Sequence, residues 1–61
     1  MNYNMKEVGT RIKQLRKEKG LTQEQLAENL DITAETIGKI EIGRTGISID
    51  LLICMSDFFE V

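Results

Sequence analysis

One face of the segment 34–41, AETIGKIE, carries side chains that could recognise the edges of DNA bases. If this segment is a helix, successive residues are turned by about 100° around its axis. With Ile37 and Ile40 buried, five other positions lie on the opposite, exposed face or at its edges. Those positions are Ala34, Glu35, Thr36, Gly38 and Lys39. A lysine can donate to O6 and N7 of guanine, a glutamate can accept from N4 of cytosine, and the methyl groups of Ala and Thr can contact the thymine methyl. Each position is equally compatible with a solvated helix face, and a carboxylate at Glu35 would also repel phosphate.

The residues that most enzymes and metal sites need are missing or scarce. The 61-residue sequence has no histidine and one cysteine, Cys54, which excludes an internal disulfide and argues against a Cys/His zinc cluster. Ser48, Ser56 and Cys54 therefore have no histidine to activate them as nucleophiles. A chain of this length also lacks room for a cofactor-binding fold. We expect neither an enzyme nor a bound metal or cofactor.

The charges are unevenly distributed along the chain. Residues 1–20 hold six lysines and arginines against two glutamates, whereas residues 21–61 hold two against eight carboxylates, and the net charge is −2. An acidic balance is unusual for a protein that binds nucleic acid. No apolar run approaches the roughly 18 residues of a membrane span, and the first residues, MNYNMKEVG, lack the apolar core of a signal peptide. We expect a soluble, cytoplasmic protein.

A local pattern predicts four helix starts. In each case a polar N-cap follows one apolar residue and precedes another by four positions, which forms a hydrophobic staple. The four sets are Tyr3-Asn4-Val8, Leu21-Thr22-Leu26, Ile32-Thr33-Ile37 and Ile47-Ser48-Leu52. Gly20 and Gly43 suit helix ends, and Asp31 must take a left-handed conformation to end the second helix. The expected helices span about 5–19, 23–30, 34–41 and 49–59.

Helical periodicity within these spans predicts the core. The expected core residues are Val8, Ile12, Leu15, Leu26, Ala27, Leu30, Ile37, Ile40, Leu51, Leu52, Met55, Phe58 and Phe59. The Met and Phe residues of the last helix could alternatively line a ligand pocket, but core packing is the simpler interpretation. Ile53 faces away from the predicted core, with Cys54 at its margin.

Residues 22–41 combine two short helices with a turn of about three residues, the geometry of a helix-turn-helix. The sequence LTQEQLAENLDITAETIGKIEIGR, with RIKQLRKEKG before it and SIDLLICMSDFF after it, resembles the lambda-repressor and Cro family of bacterial and phage regulators, often called xenobiotic-response-element-type domains. The resemblance runs from about Lys6 to Val61. It implies a single all-α domain over 1–61, a small helical bundle with four helices present and the family's fifth missing or truncated. The chain would then be a natural short form or a fragment of a longer regulator.

The resemblance also implies roles for individual residues. The motif is expected at about 22–41 and the recognition helix at about 34–41. The positions that read bases would be Ala34, Glu35, Thr36 and Lys39. Those that contact DNA phosphates would be Gln23, Thr33 and Arg44. The simpler interpretation of Gln23 is a solvated residue after the Thr22 cap, and that of Arg44 is an exposed loop arginine.

Arg16 and Glu41 call for a structural interpretation. Both lie toward the inner side of their helices, and the family commonly pairs these positions in a partly buried salt bridge. A planar guanidinium can bind a carboxylate through two parallel hydrogen bonds. We expect the pair to hold the third helix against the first.

The leading functional hypothesis is a sequence-specific DNA-binding transcriptional regulator. It would be a repressor that binds double-stranded DNA in the major groove of a two-fold operator as a homodimer, through the fourth helix and the C-terminal end. The alternative is a protein-interaction module on the same fold, an antitoxin or regulatory partner with weak or lost DNA binding. The acidic balance, Glu35 and the glycine at Gly38 favour this alternative.

Overall fold

The computed structural model describes residues 4–61 and contains four α-helices in that range. They are α1 (Met5–Glu18), α2 (Gln23–Leu30), α3 (Ala34–Glu41) and α4 (Ile49–Phe59). Residues 4–61 form no β-strand, so the all-α prediction is confirmed. The end of α1 lies one residue before the predicted one, because Lys19 serves as its C-cap.

The predicted N-caps begin all four helices. Asn4 accepts hydrogen bonds from the backbone N–H groups of Lys6 and Glu7, at 2.9 and 3.2 Å. Thr22 forms a complete capping box with Gln25, while Thr33 and Ser48 each accept from the backbone N–H three residues later. These bonds satisfy donors that the first turn of a helix leaves free. The staple residue Tyr3 lies outside the described residues.

Residues in the left-handed conformation end α2 and α4, and the glycines Gly20 and Gly43 take it directly after the C-caps of α1 and α3. Asp31 ends α2 with a φ of 57°, as predicted, and Gly43 follows α3 with a φ of 77°. Glu60 ends α4 with a φ of 58°, which the sequence pattern did not indicate. Positive φ disfavours most side chains, so Asp31 and Glu60 take a conformation that glycine would adopt more easily.

The core lies where α3 packs against α1 and α2, with α4 closing it on the side of α2. Its buried residues are Ile12, Leu26, Ala27, Ile37, Ile40, Met55 and Phe59. Most of the other predicted core residues are half-buried around them. The prediction that Leu52 belongs to the core is wrong. Leu52 is 48% exposed, because it lies at the rim of an open apolar groove between α1 and α4. The predicted exposure of Ile53 is confirmed at 61%.

Two further contacts fix the helices relative to one another. Gly9 brings α1 against the end of α3, where a Cβ at this position would come within 2.7 Å of the backbone oxygen of Glu41. The Lys19 ammonium lies 5.3 Å from the ring centre of Phe58 and joins the end of α1 to α4.

No helix within residues 4–61 combines the length and apolarity that crossing a bilayer requires.

Candidate nucleic-acid interface

A buried ion pair fixes the third helix relative to the first. Arg16 Nε donates to Glu41 Oε2 at 2.7 Å, and Arg16 Nη2 donates to Glu41 Oε1 at 3.1 Å. The two residues are only 8% and 5% exposed. The hydrogen bond with Glu41 raises the pKa of Arg16 above its ordinary value, although burial acts in the opposite direction. The guanidinium therefore stays charged and bound to two oxygens of one carboxylate.

The same arginine also fixes the start of the helix-turn-helix. Arg16 Nη1 donates to the backbone oxygen of Leu21 at 2.7 Å, and the Leu21 N–H donates to the backbone oxygen of Arg16 at 3.1 Å. Leu21 immediately precedes the Thr22 cap of α2. One side chain thus holds the end of α1, the start of α2 and the end of α3 together.

Gln23, the first residue of α2, is half-buried and turns toward α3. Its Nε2 donates to Glu41 Oε1 at 3.1 Å. The amide lies over Gly38, where a Cβ would be 3.7 Å from Gln23 Oε1, an ordinary van der Waals distance. Gln23 is therefore part of the contact between the two helices of the motif rather than a freely solvated side chain.

The side chains of α3 differ in how accessible they are. Glu35 and Lys39 are exposed, whereas Ala34 is half-buried against the core. Thr36 is half-buried, and its hydroxyl oxygen lies 2.8 Å from that of Thr33. The two charged residues thus project from the outer surface of α3, while Ala34 and Thr36 remain at its edges.

A tight turn places Arg44 next to the end of α3. The backbone N–H of Arg44 donates to the oxygen of Lys39 at 2.9 Å, and that of Gly43 donates to Ile40 at 3.1 Å. This is the bond pattern of a Schellman motif, which the positive φ of Gly43 permits. Lys6 adjoins the turn, since a Cβ on Gly43 would be 2.9 Å from the Lys6 Cα. Sequence reasoning missed Lys6, because only the packing of α1 on this turn brings it here.

The exposed charges of this surface are available to an external partner. Within residues 4–61 the salt bridge between Arg16 and Glu41 is the only one, so Lys39 and Arg44 are not neutralised by a carboxylate of that range. Glu35 in the first turn of α3 and Glu24 in the first turn of α2 add negative charge nearby. The surface is therefore mixed in sign, with cations at the end of α3 and carboxylates at the helix starts.

Comparison with known proteins identifies the family. A family model described as helix-turn-helix matches residues 12–61. This chain belongs to the Cro/lambda-repressor-type helix-turn-helix family. Its fold agrees with the crystal structure of the restriction-modification controller protein C.AhdI from Aeromonas hydrophila, with a TM-score of 0.88 and 26% identity. That match covers 95% of this chain and 84% of the controller protein.

Curated relatives of this helix-turn-helix domain are transcriptional regulators. The HTH-type transcriptional activator BcrR of Enterococcus faecalis is 44% identical over 55 residues, which are 90% of this chain and 27% of the relative. The HTH-type transcriptional regulator PrpR of Mycobacterium tuberculosis is 32% identical over 53 residues, which are 87% of this chain and 11% of the relative. The chain thus spans less than a third of the length of either relative.

Proposed function

We propose that this domain binds double-stranded DNA sequence-specifically, with α3 in the major groove. The observation that carries the proposal is the outer surface of α3, where Lys39 projects beside Glu35 and Arg44 follows at the helix end. Membership of a helix-turn-helix family whose relatives are named as transcriptional regulators supports it. In such a motif the second helix enters the groove, so the two exposed charged side chains would face base edges.

The residues proposed to read bases differ in how exposed their side chains are. Lys39 would donate to a guanine, and Glu35 would accept from a cytosine N4. Ala34 and Thr36 would contribute only methyl contacts to thymine, since Ala34 packs partly on the core and the Thr36 hydroxyl is bonded to Thr33. Specificity would therefore depend mainly on the two charged residues.

Phosphate contacts would surround α3. Arg44 and the Gln23 amide are two of the proposed contacts, one at the end of α3 and one at the start of α2. Thr33 Oγ1 already accepts from the Thr36 N–H at 3.2 Å. When the Thr36 hydroxyl donates to Thr33, the Thr33 hydroxyl hydrogen is left for a phosphate oxygen. Such contacts set the position of the protein on DNA without reading sequence.

We also propose that the protein acts as a homodimer on a two-fold site. One short helix makes few base contacts, whereas two copies spaced by about 34 Å double them. The proposed dimer face is the exposed apolar stripe of α4, namely Ile49, Leu52 and Ile53, which are 75%, 48% and 61% exposed. Within Ile49–Phe59 the charged residues are Asp50 and Asp57, both acidic. Arg11, which lines the same α1–α4 groove as Leu52, would supply opposite charge to a second copy.

Repression is the simplest regulatory result, because a protein on an operator excludes other proteins from that DNA. The relative that is named as an activator makes activation the second candidate. A reporter gene with the selected site placed either over or upstream of a promoter separates the two. Repression requires reduced expression from the overlapping site, and activation requires raised expression from the upstream site. Either role would require the protein to act in the cytoplasm, where the DNA of a bacterial cell lies.

Selection of bound duplexes from a random DNA pool tests the function itself. Enrichment of a two-fold symmetric sequence is the expected result. Enrichment of an asymmetric sequence would support DNA binding but contradict the homodimer. No enrichment at low salt would contradict DNA recognition and favour the protein-interaction module, an antitoxin or regulatory partner.

A further inference from the structure

The carboxylate of Glu41 accepts three hydrogen bonds from two different helices. Two come from Arg16 of α1, at 2.7 and 3.1 Å, and the third comes from Gln23 Nε2 of α2, at 3.1 Å. The side chain of Glu41 is only 2% exposed. A salt bridge that served only to join α1 to α3 would need no contact with the first residue of α2.

The third bond fixes the orientation of the Gln23 amide. An ionised carboxylate only accepts hydrogen bonds, so the NH₂ end of Gln23 must face Glu41 and the carbonyl must turn away. One hydrogen of that NH₂ group is used by Glu41, which leaves the second for another acceptor. A Cβ added at Gly38 would lie at ordinary contact distances of 3.7 and 3.9 Å from Oε1 and Nε2 of the amide, so the bond to Glu41, rather than packing against α3, sets the orientation of the group.

We propose that Glu41 is a positioning residue for DNA binding, which holds Gln23 so that an N–H rather than a carbonyl is offered to a phosphate. The inference rests on the DNA binding proposed above. Arg16 completes the arrangement, because its guanidinium neutralises a carboxylate that would otherwise repel phosphates near the start of α2. The buried Arg16–Glu41 pair thereby determines which group of Gln23, the N–H or the carbonyl, faces the phosphate, although neither Arg16 nor Glu41 touches it.

Replacement of Glu41 by Gln tests the orientation. The new amide would keep its oxygen for the shorter bond, from Arg16 Nε, and place its nitrogen where Glu41 Oε1 accepts from both Arg16 Nη2 and Gln23 Nε2. Gln23 would then face a donor and have to turn over, while Arg16 Nη2 would lose its bond. A carbonyl would then replace the N–H offered to phosphate. Because the hydrogen bond from Gln23 to the charged phosphate is then lost, we expect DNA affinity to fall about tenfold. Glu41→Gln also removes a negative charge and leaves the Arg16 cation unpaired, which by itself would strengthen binding to DNA, so a loss of affinity would run against the electrostatic change.

A double-mutant cycle separates positioning from simple destabilisation. Affinities of wild type, Glu41→Gln, Gln23→Ala and the double variant are measured at a temperature where circular dichroism shows each to be fully folded. Once Gln23 is Ala, Glu41→Gln should no longer lower affinity. Ile12→Val is the matched control: it weakens the core and should leave affinity unchanged. If the two substitutions lower affinity independently, Glu41 is only structural and the inference is wrong.

Nuclear magnetic resonance of the wild type gives a second test should Glu41→Gln fail to fold. The side-chain NH₂ signals of Gln23 are assigned by their loss in Gln23→Ala. On addition of DNA, one of the two hydrogens should shift strongly while the one bonded to Glu41 moves little. Equal shifts of both, or a shift of neither, would overturn the inference. Failure of the wild type to bind any duplex would instead refute the proposed function, which distinguishes the two.

Discussion

Gly9 packs directly against the backbone carbonyl of Glu41, and this contact sets how closely α1 approaches the end of α3. A Cβ at position 9 would be 2.7 Å from the Glu41 oxygen and closer still to that of Ile40. Both obstacles are backbone atoms, which cannot rotate away as the end of a side chain could. This close contact between α1 and α3 lets Arg16 reach Glu41, and the same arginine binds the backbone oxygen of Leu21 just before α2.

Gly9→Ala should therefore destabilise the domain, although alanine is the better helix former. We expect a loss of about 2 kcal/mol or more in the free energy of unfolding, as for overpacked cores. Urea denaturation followed by circular dichroism measures it. An unchanged or raised stability would show that the α1–α3 contact is looser than the structure indicates.

Gly38→Ala should have the opposite effect. Gly38 lies inside α3, and the nearest atom to an added Cβ, Gln23 Oε1, is at an ordinary contact distance of 3.7 Å. Removing the helix penalty of glycine should stabilise the domain by up to about 1 kcal/mol. The same denaturation experiment checks the sign, and Gly9→Ala is its natural comparison. A loss of stability would mean that the Gln23 amide cannot tolerate a methyl neighbour.

Arg16→Ala should nearly unfold the domain in the absence of DNA. Removal of one member of a buried pair strands the other charge and costs about 3–5 kcal/mol, which is comparable with the whole stability expected for about 60 residues. The double variant Arg16→Met with Glu41→Leu should be more stable than Arg16→Ala, since no charge is left unpaired. Thermal unfolding compares them. A melting temperature of Arg16→Ala equal to that of wild type would contradict the structural role.

The sequence predicted the helices more completely than it predicted their contacts. N-caps act within one turn, so Thr22, Thr33 and Ser48 indicated the helix starts from local pattern alone. Gly9 carried a recognisable signal, since a glycine inside an otherwise regular helix often marks close packing, yet the partner atoms are about thirty residues away. The Gln23–Glu41 bond gave no local signal, because it depends on the angle between α2 and α3. Leu52 was misassigned because periodicity gives the apolar face of α4 but not how much of it other helices cover.

Ile53→Lys should convert a homodimer to a monomer without unfolding it. Ile53 is 61% exposed on the α4 stripe, so a lysine costs little in one copy but places two charges in the proposed dimer face. Analytical ultracentrifugation should show a lower mass at the same protein concentration. Thr10→Lys, on the exposed outer side of α1, is the control and should leave the mass unchanged. A wild type that is monomeric at all concentrations, with and without DNA, would contradict the proposed interface.

Lys39 and Arg44 should affect DNA binding in different ways, although both are exposed cations at the same end of α3. Lys39 projects from the outer surface of the helix, so Lys39→Ala should cost about 1–3 kcal/mol on the selected sequence and relax the preference at one base pair of each half-site. Arg44 belongs to the turn, where a phosphate is the expected partner. Arg44→Ala should therefore weaken binding to all duplexes about equally and reduce the salt slope by about one unit per site. Titrations on matched and scrambled duplexes at several salt concentrations measure both effects. If Lys39→Ala instead weakened the two duplexes equally, Lys39 would be a phosphate contact, and base recognition by α3 would depend on Glu35 and the methyl contacts of Ala34 and Thr36.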